Sequence, residues 1–148
     1  EKRMNINELK PGEGEEVVSR VEAMTEDKLE RVFLLQRYLH EKYKPIERGN
    51  GIYRPDKVDV NSVKDQEMLS GLMMRVVREL IEAVETFKNK PWRQSQVLTD
   101  QDHLKEELAD AFHFYIEFLI ELGIDADELY ELYTKKHRVN QWRQATKY

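Results

Sequence analysis

At 148 residues the chain is long enough for one domain with a real hydrophobic core, and its 6 Gly and 4 Pro favour helices over a turn-rich β architecture. It has no cysteine, which rules out a disulfide framework, a thiolate metal site and a thiol nucleophile and fits a reducing cytoplasm. A net charge of −5 argues against a nucleic-acid-binding surface, and neither a membrane-span-length apolar run nor a signal-peptide core is visible, so no membrane partner is expected.

Residues 1–24 read as an N-terminal arm. Charge alternates there with Pro11-Gly12-Glu13-Gly14, and a short helix over Glu15–Met24 is expected. Residues 25–148 read as one all-α domain, with no repeat and no low-complexity tract. Thr25 is a plausible N-cap, followed by Glu26 and Asp27 in a first helical turn. This helix should reach about Tyr43 and end before Pro45. Leu29, Val32, Phe33, Leu39 and Tyr43 form its core stripe, with Gln36 embedded among them. A buried amide needs partners, and Gln36 can find them on a neighbouring helix or on a polar ligand such as a nucleobase edge. His40, one turn on, reads as a core histidine or a pocket wall.

Residues 45–61 carry Pro45, Gly49, Gly51 and Pro55 and form a loop long enough to be functional. Asn61 or Ser62 can cap a helix over 62–88, lined by Met68, Leu69, Leu72, Met73, Val76, Leu80, Ala83, Val84 and Phe87. Inside it, Glu79 and Glu82 stand at i and i+3, so both project from one face. Asn89-Lys90-Pro91-Trp92 breaks this helix. Trp92 can cover the bundle end or stack on a base, and Arg93 can meet phosphate.

Thr99 or Asp100 caps the next helix, 100–122, which Gly123 closes. Its apolar positions are Leu104, Leu108, Ala111, Tyr115, Leu119 and Leu122, and beside them lies a second acidic pair, Glu107 and Asp110. Carboxylates crowded at the edge of an apolar face repel one another and lose solvation, and a hard cation held by oxygen ligands relieves both costs. Antiparallel packing of the two helices would gather all four acids in a bundle core. The plainer alternative is four solvated charges, in a chain with 36% charged residues. A last helix over 126–144 starts with Asp125 and Glu128 in a capping-box pattern. Lys136, Asn140 and Arg143 recur at i, i+4 and i+7, in line with Leu129 and Tyr133, which should face inward. A cation, an amide and a guanidinium in a row suit a triphosphate, while a basic helix end complementing the dipole is the structural alternative.

Together Leu35-Gln36-Arg37-Tyr38-Leu39, Glu79-Leu80-Ile81-Glu82, the run Glu107-Leu108-Ala109-Asp110-Ala111-Phe112-His113-Phe114, and Lys136 to Gln144 with the terminal Tyr148 resemble the all-α nucleoside triphosphate pyrophosphohydrolases. These comprise the MazG-like proteins, the dimeric dUTPases and the dCTPase/dUTPase of T-even phages. The resemblance covers roughly residues 29–148 and implies a four-to-five-helix bundle. It implies that Glu79, Glu82, Glu107 and Asp110 bind Mg²⁺, with Mn²⁺ as a substitute, that Lys136, Asn140 and Arg143 hold the phosphates, and that Tyr148 belongs to the substrate-binding residues. It further implies that Gln36 and Trp92 contact the base. One departure is Arg78, which stands where many relatives carry the first acid of EExxE.

The expected activity is therefore Mg²⁺-dependent hydrolysis of a deoxynucleoside triphosphate to monophosphate and pyrophosphate. The expected substrate is dUTP, with Glu79 acting on the attacking water. The same chemistry on dCTP or a purine nucleotide is the first alternative. Others are a di-iron carboxylate bundle, of which Asp110 and His113 form a faint Glu-x-x-His element, and a non-catalytic helical interaction module. The resemblance also implies a homodimer or dimer of dimers, a nucleotide partner and no nucleic acid, in the cytoplasm of a bacterium or of a phage-infected host.

Overall fold

The computed structural model describes residues 14–147, and within them the chain is all helix and connection, with no strand. The elements are α1 (Glu15–Met24), α2 (Lys28–Gly49), α3 (Val63–Glu85), α4 (Gln101–Glu121) and α5 (Ala126–Ala145). α3 and α4 form the dominant packed pair, α2 lies against α4, and α1 and α5 both lean on α2. Residues 1–13 of the expected arm, and Tyr148, lie outside the described residues.

Local chemistry sets the boundaries. Ser62, Asp100 and Asp125 each cap a helix, accepting from the backbone N–H of Asp65, His103 and Glu128. Gly123 closes α4 at φ +76, a conformation that costs a residue with a Cβ. Two expectations need correction. The cap of α2 is Asp27, not Thr25: its Oδ1 accepts from Glu30 N at 3.1 Å, while Thr25 Oγ1 receives the N–H of Asp27 at 3.2 Å. α2 also runs through Pro45 to Gly49 rather than ending before it. A helix-interior proline costs roughly 3 kcal/mol, but the turn beyond it is held from outside. Glu47 pairs with Arg54 and Arg75, and Arg48 donates to Arg54 O at 2.7 Å and to Asp56 at 2.8 Å. Tertiary contacts override the local signal.

The apolar core is compact. Phe33, Ile116, Leu119, Ile120 and Ala126 form its buried cluster, flanked by Leu29, Val32, Phe118, Ile124 and Leu129. The buried face of α4 is thus rotated from the expected stripe: Leu108 and Tyr115 are exposed, while Glu107, Ala111, Ile116, Glu117 and Glu121 are buried. On α3, Leu69, Leu72 and Ala83 are buried as expected, but Met73, Leu80, Val84 and, just past the helix, Phe87 face out. Tyr133 is also exposed, contrary to its expected inward direction: α5 packs on α2 and meets the buried core through Ala126 and Leu129 near its start.

Candidate active site

The α3–α4 pairing brings the two acidic motifs together. Carboxylate oxygens of Glu79, Glu107 and Asp110 all lie within 4.8 Å of one another. Glu82 completes the group, acting on Glu79 by hydrogen bond and by charge. Glu107 is only 2% exposed. Its Oε1 lies 3.4 Å from His103 Nε2, one turn earlier on α4.

The environment of Glu79 shows what such crowding does. Burial, then contacts with Glu107 and Glu82, then the charges of Glu82 and Asp110 push its carboxyl up to about 8. Its Oε2 is buried with no donor to satisfy it. Carboxylates hydrogen-bond one another only by sharing a proton, so the cluster holds its charge down by keeping one. An all-oxygen donor set with a buried oxygen left over fits a hard divalent cation, which would take that proton's place. A cavity of about 710 Å³ opens beside the cluster, with Glu82 and Glu107 on one wall and Lys88 and His103 among its other lining residues. The sequence reading did not single out Lys88 or His103. Their helical spacing from Glu85 and Glu107 was visible, but spacing alone does not show a shared cavity.

Farther along α4 a smaller cavity of about 210 Å³ is lined by Gln36, Leu39, Tyr43, Asp110, His113 and Phe114. It joins the clustered acid Asp110 to the embedded amide. Gln36 is buried and bonded at both ends, its Nε2 donating to Glu117 Oε2 and its Oε1 facing His113 Nδ1, each at 3.0 Å. Behind Glu117 lies a buried charge network that the sequence reading missed. Arg54, carried in by the 50–62 connection, is wholly buried and bonds Glu117 Oε1 and Glu121 Oε2 at 3.1 Å and also Glu47. His40 Nδ1 meets Glu117 Oε1 at 2.7 Å, which places His40 in this network as well. Burial pushes the Glu117 carboxyl up, but hydrogen bonds from His40, Gln36 and Arg54 outweigh it and hold the group below the usual carboxylate range. Glu117 and Glu121 sit in the core-facing register of α4, so their burial was readable as a charge in an apolar stripe once that stripe was correctly rotated.

The remaining expected contacts are not gathered here. Trp92 is 76% exposed in the 86–100 connection, with Lys90 Nζ 5.5 Å from its ring centre. That connection is tied by two bonds between Asn89 and Val97, at 2.7 and 2.9 Å. Lys136 and Asn140 are exposed and Arg143 is half-buried on α5, and none of the three lines the cavities beside the acids.

A stretch of 49 residues is 41% identical to the dCTP pyrophosphatase of Enterobacteria phage T4, covering 33% of this chain and 29% of that protein. Seventy residues are 37% identical to the dCTP pyrophosphatase of Enterobacteria phage LZ5, covering 40% and 41%. The chain therefore spans well under half the length of these relatives. No solved structure matches. A family model described as dUTPase matches residues 28–128, a span that holds α2, α3, α4 and all four clustered acids. On that match the chain belongs to the dUTPase family.

Proposed function

We propose that the protein is a Mg²⁺-dependent deoxynucleoside triphosphate pyrophosphohydrolase acting on a pyrimidine nucleotide, dUTP first. The observation that carries this reading is the convergence of Glu79, Glu107 and Asp110, with Glu82 beside them, Glu82 and Glu107 lining the larger cavity and Asp110 the smaller. The four acids would hold the cation, with Mn²⁺ able to replace it. When bound, it supplies positive charge against the triphosphate and makes water easier to deprotonate.

The chain's own groups do the rest. Glu79 orients a water and takes its proton as the water oxygen attacks the α-phosphorus. The bond from the α-phosphorus to the oxygen bridging to the β-phosphorus breaks, and pyrophosphate leaves with that electron pair. Lys88 and His103 face the larger cavity and would steady the phosphates from within one chain. Lys136, Asn140 and Arg143 would reach them from a second copy, Tyr148 would add a contact to the substrate, and Trp92 would close over the base. A homodimer, or a dimer of dimers, has support in α3. Met73, Val77, Leu80 and Val84 are exposed at alternating spacings of four and three, the seam by which one helix packs on another.

The family description favours dUTP, and the two phage relatives favour dCTP as a second reading. A panel of all dNTPs and NTPs with Mg²⁺, scored for pyrophosphate and monophosphate, tests both. The expected result is stoichiometric release of the two products from dUTP or dCTP. Release of orthophosphate, or no turnover of any pyrimidine nucleotide, overturns the reading.

A further inference from the structure

Gln36, in the small cavity beside Asp110, has a chemistry that depends on which way round it sits. An amide turned by 180° exchanges a donor for an acceptor without changing shape. What decides its orientation is Glu117. That carboxylate is 2% exposed and receives Arg54 Nη2 at 3.1 Å and His40 Nδ1 at 2.7 Å on one oxygen. Its other oxygen faces Gln36. A guanidinium does not deprotonate in a protein, so Glu117 beside it is an acceptor only. Turning the Gln36 carbonyl toward it would set two acceptors against each other in a buried site, where an unmade bond is costly.

The consequence passes one residue further. With its NH₂ held by Glu117, Gln36 presents Oε1 to His113 Nδ1 at 3.0 Å. An acceptor there requires a proton on Nδ1, which leaves Nε2 of the neutral ring as a bare acceptor. Gln36 and His113 together wall the cavity that touches Asp110 and a second, apolar one of about 160 Å³ lined by Val32, Leu35, Phe112 and Ile116. A planar base entering there meets a fixed pattern of donor and acceptors.

We infer that Glu117, with Arg54 and His40 behind it, is a positioning residue. It fixes the orientation of the Gln36 amide and through it the tautomer of His113, and so sets which pyrimidine base edge the pocket accepts. The inference rests on the proposed function for its substrate, but the tautomer itself does not depend on turnover.

The test has two arms. In the first, ¹⁵N NMR of the ring nitrogens of His113 is recorded on the nucleotide-free protein at alkaline pH, where the ring is neutral, and is assigned with a His113→Asn variant. The wild type should carry its proton on Nδ1. Gln36→Leu, which removes the acceptor but leaves Glu117 its bonds to His40 and Arg54, should lose that preference. In the second arm, Glu117→Gln keeps the shape but offers a donor as well as an acceptor, so Gln36 can turn. The ratio of kcat/KM for dUTP over dCTP should move toward unity by at least about tenfold, with Mg²⁺ affinity unchanged.

A proton on Nε2 in the wild type overturns the inference, and so does a Glu117→Gln enzyme that folds and keeps both tautomer and ratio. If Glu117→Gln does not fold, the wild-type and Gln36→Leu spectra still decide. If the wild type turns over neither nucleotide, the functional reading fails, while the spectra alone judge the role of Glu117.

Discussion

Arg54 Nη2 donates to Glu117 Oε1 at 3.1 Å across 63 residues of sequence, with both side chains withdrawn from water. The same guanidinium bonds Glu121 and Glu47, so one cation from a connection ties together three carboxylates of α2 and α4, with Arg75 a second partner of Glu47 and Lys44 a second cation near Glu121. Removing one partner of a buried ion pair leaves the other charge uncompensated. Arg54→Ala should therefore destabilise the protein by about 3–5 kcal/mol in urea unfolding. Arg54→Lys should recover only part of this, because one ammonium lacks the fork that reaches three acids. A loss under about 1 kcal/mol for Arg54→Ala would mean that water already screens the site.

Glu79 makes the stability of the metal-free protein depend on pH. Its folded carboxyl titrates near 8 against an ordinary value of 4.5. The folded state thus binds this proton more tightly than the unfolded chain does. Its contribution is fully present below about 4.5 and is lost as pH rises through about 8. Glu79→Gln cannot ionise, so without metal it should be more stable than the wild type above pH 8, by about 1–2 kcal/mol. That is well below the full value of the shift, because the carboxyl is only partly buried. Thermal unfolding across pH in chelator measures it, and parallel curves for the two proteins would disprove the coupling.

The same proton should be displaced by metal. Mg²⁺ or Mn²⁺ titrated into the protein near pH 7 should release about one proton, seen as a dependence of binding heat on buffer ionisation enthalpy. Glu107→Gln should weaken the binding at least about tenfold. Binding without proton release would place the cation away from Glu79.

Lys136, Asn140 and Arg143 share one stripe of α5, and none of the three lines the cavity beside the clustered acids. Arg143→Ala should weaken triphosphate binding about tenfold, roughly 1.4 kcal/mol, and leave nucleoside binding unchanged. Mixing Arg143→Ala protein with inactive Glu79→Gln protein should restore part of the activity if the stripe acts across subunits. Equal losses for both ligands would make Arg143 a structural residue.

Gln36→Leu should lower kcat/KM for the preferred base by at least about tenfold, the equivalent of ~1.4 kcal/mol. Mg²⁺ affinity should be nearly unchanged, because Gln36 shares a cavity with Asp110 of the acidic cluster but bonds Glu117 and His113. Full activity and selectivity in this variant would remove Gln36 from base recognition.

Most of the architecture was legible in the chain. Capping chemistry is local, so Ser62, Asp100, Asp125 and Gly123 mark their boundaries within a few residues of sequence. Spacing is local too, and the i, i+3 placement of Glu79 with Glu82, and of Glu107 with Asp110, puts each pair on one face of its helix. That two such pairs meet follows once α3 and α4 pack.

What sequence could not settle was rotation, burial and partnership. Pro45 signals a stop, yet Glu47 and Arg48 are held by Arg54, Arg75 and Asp56, and the helix continues. Apolar spacing on α4 left its core face uncertain by about one residue's turn, and that turn decides whether Glu117 and Glu121 meet water or Arg54. By itself the sequence determined the helices, the caps of α3, α4 and α5 and the two acidic pairs, because these depend on residues within one or two turns of each other. The tertiary structure alone decided that Arg54 is buried beneath Glu117 and that Gln36 is bonded at both ends. Those partners lie 63 to 81 residues apart, and only the packing of α2 and the 50–62 connection against α4 brings them within hydrogen-bond reach.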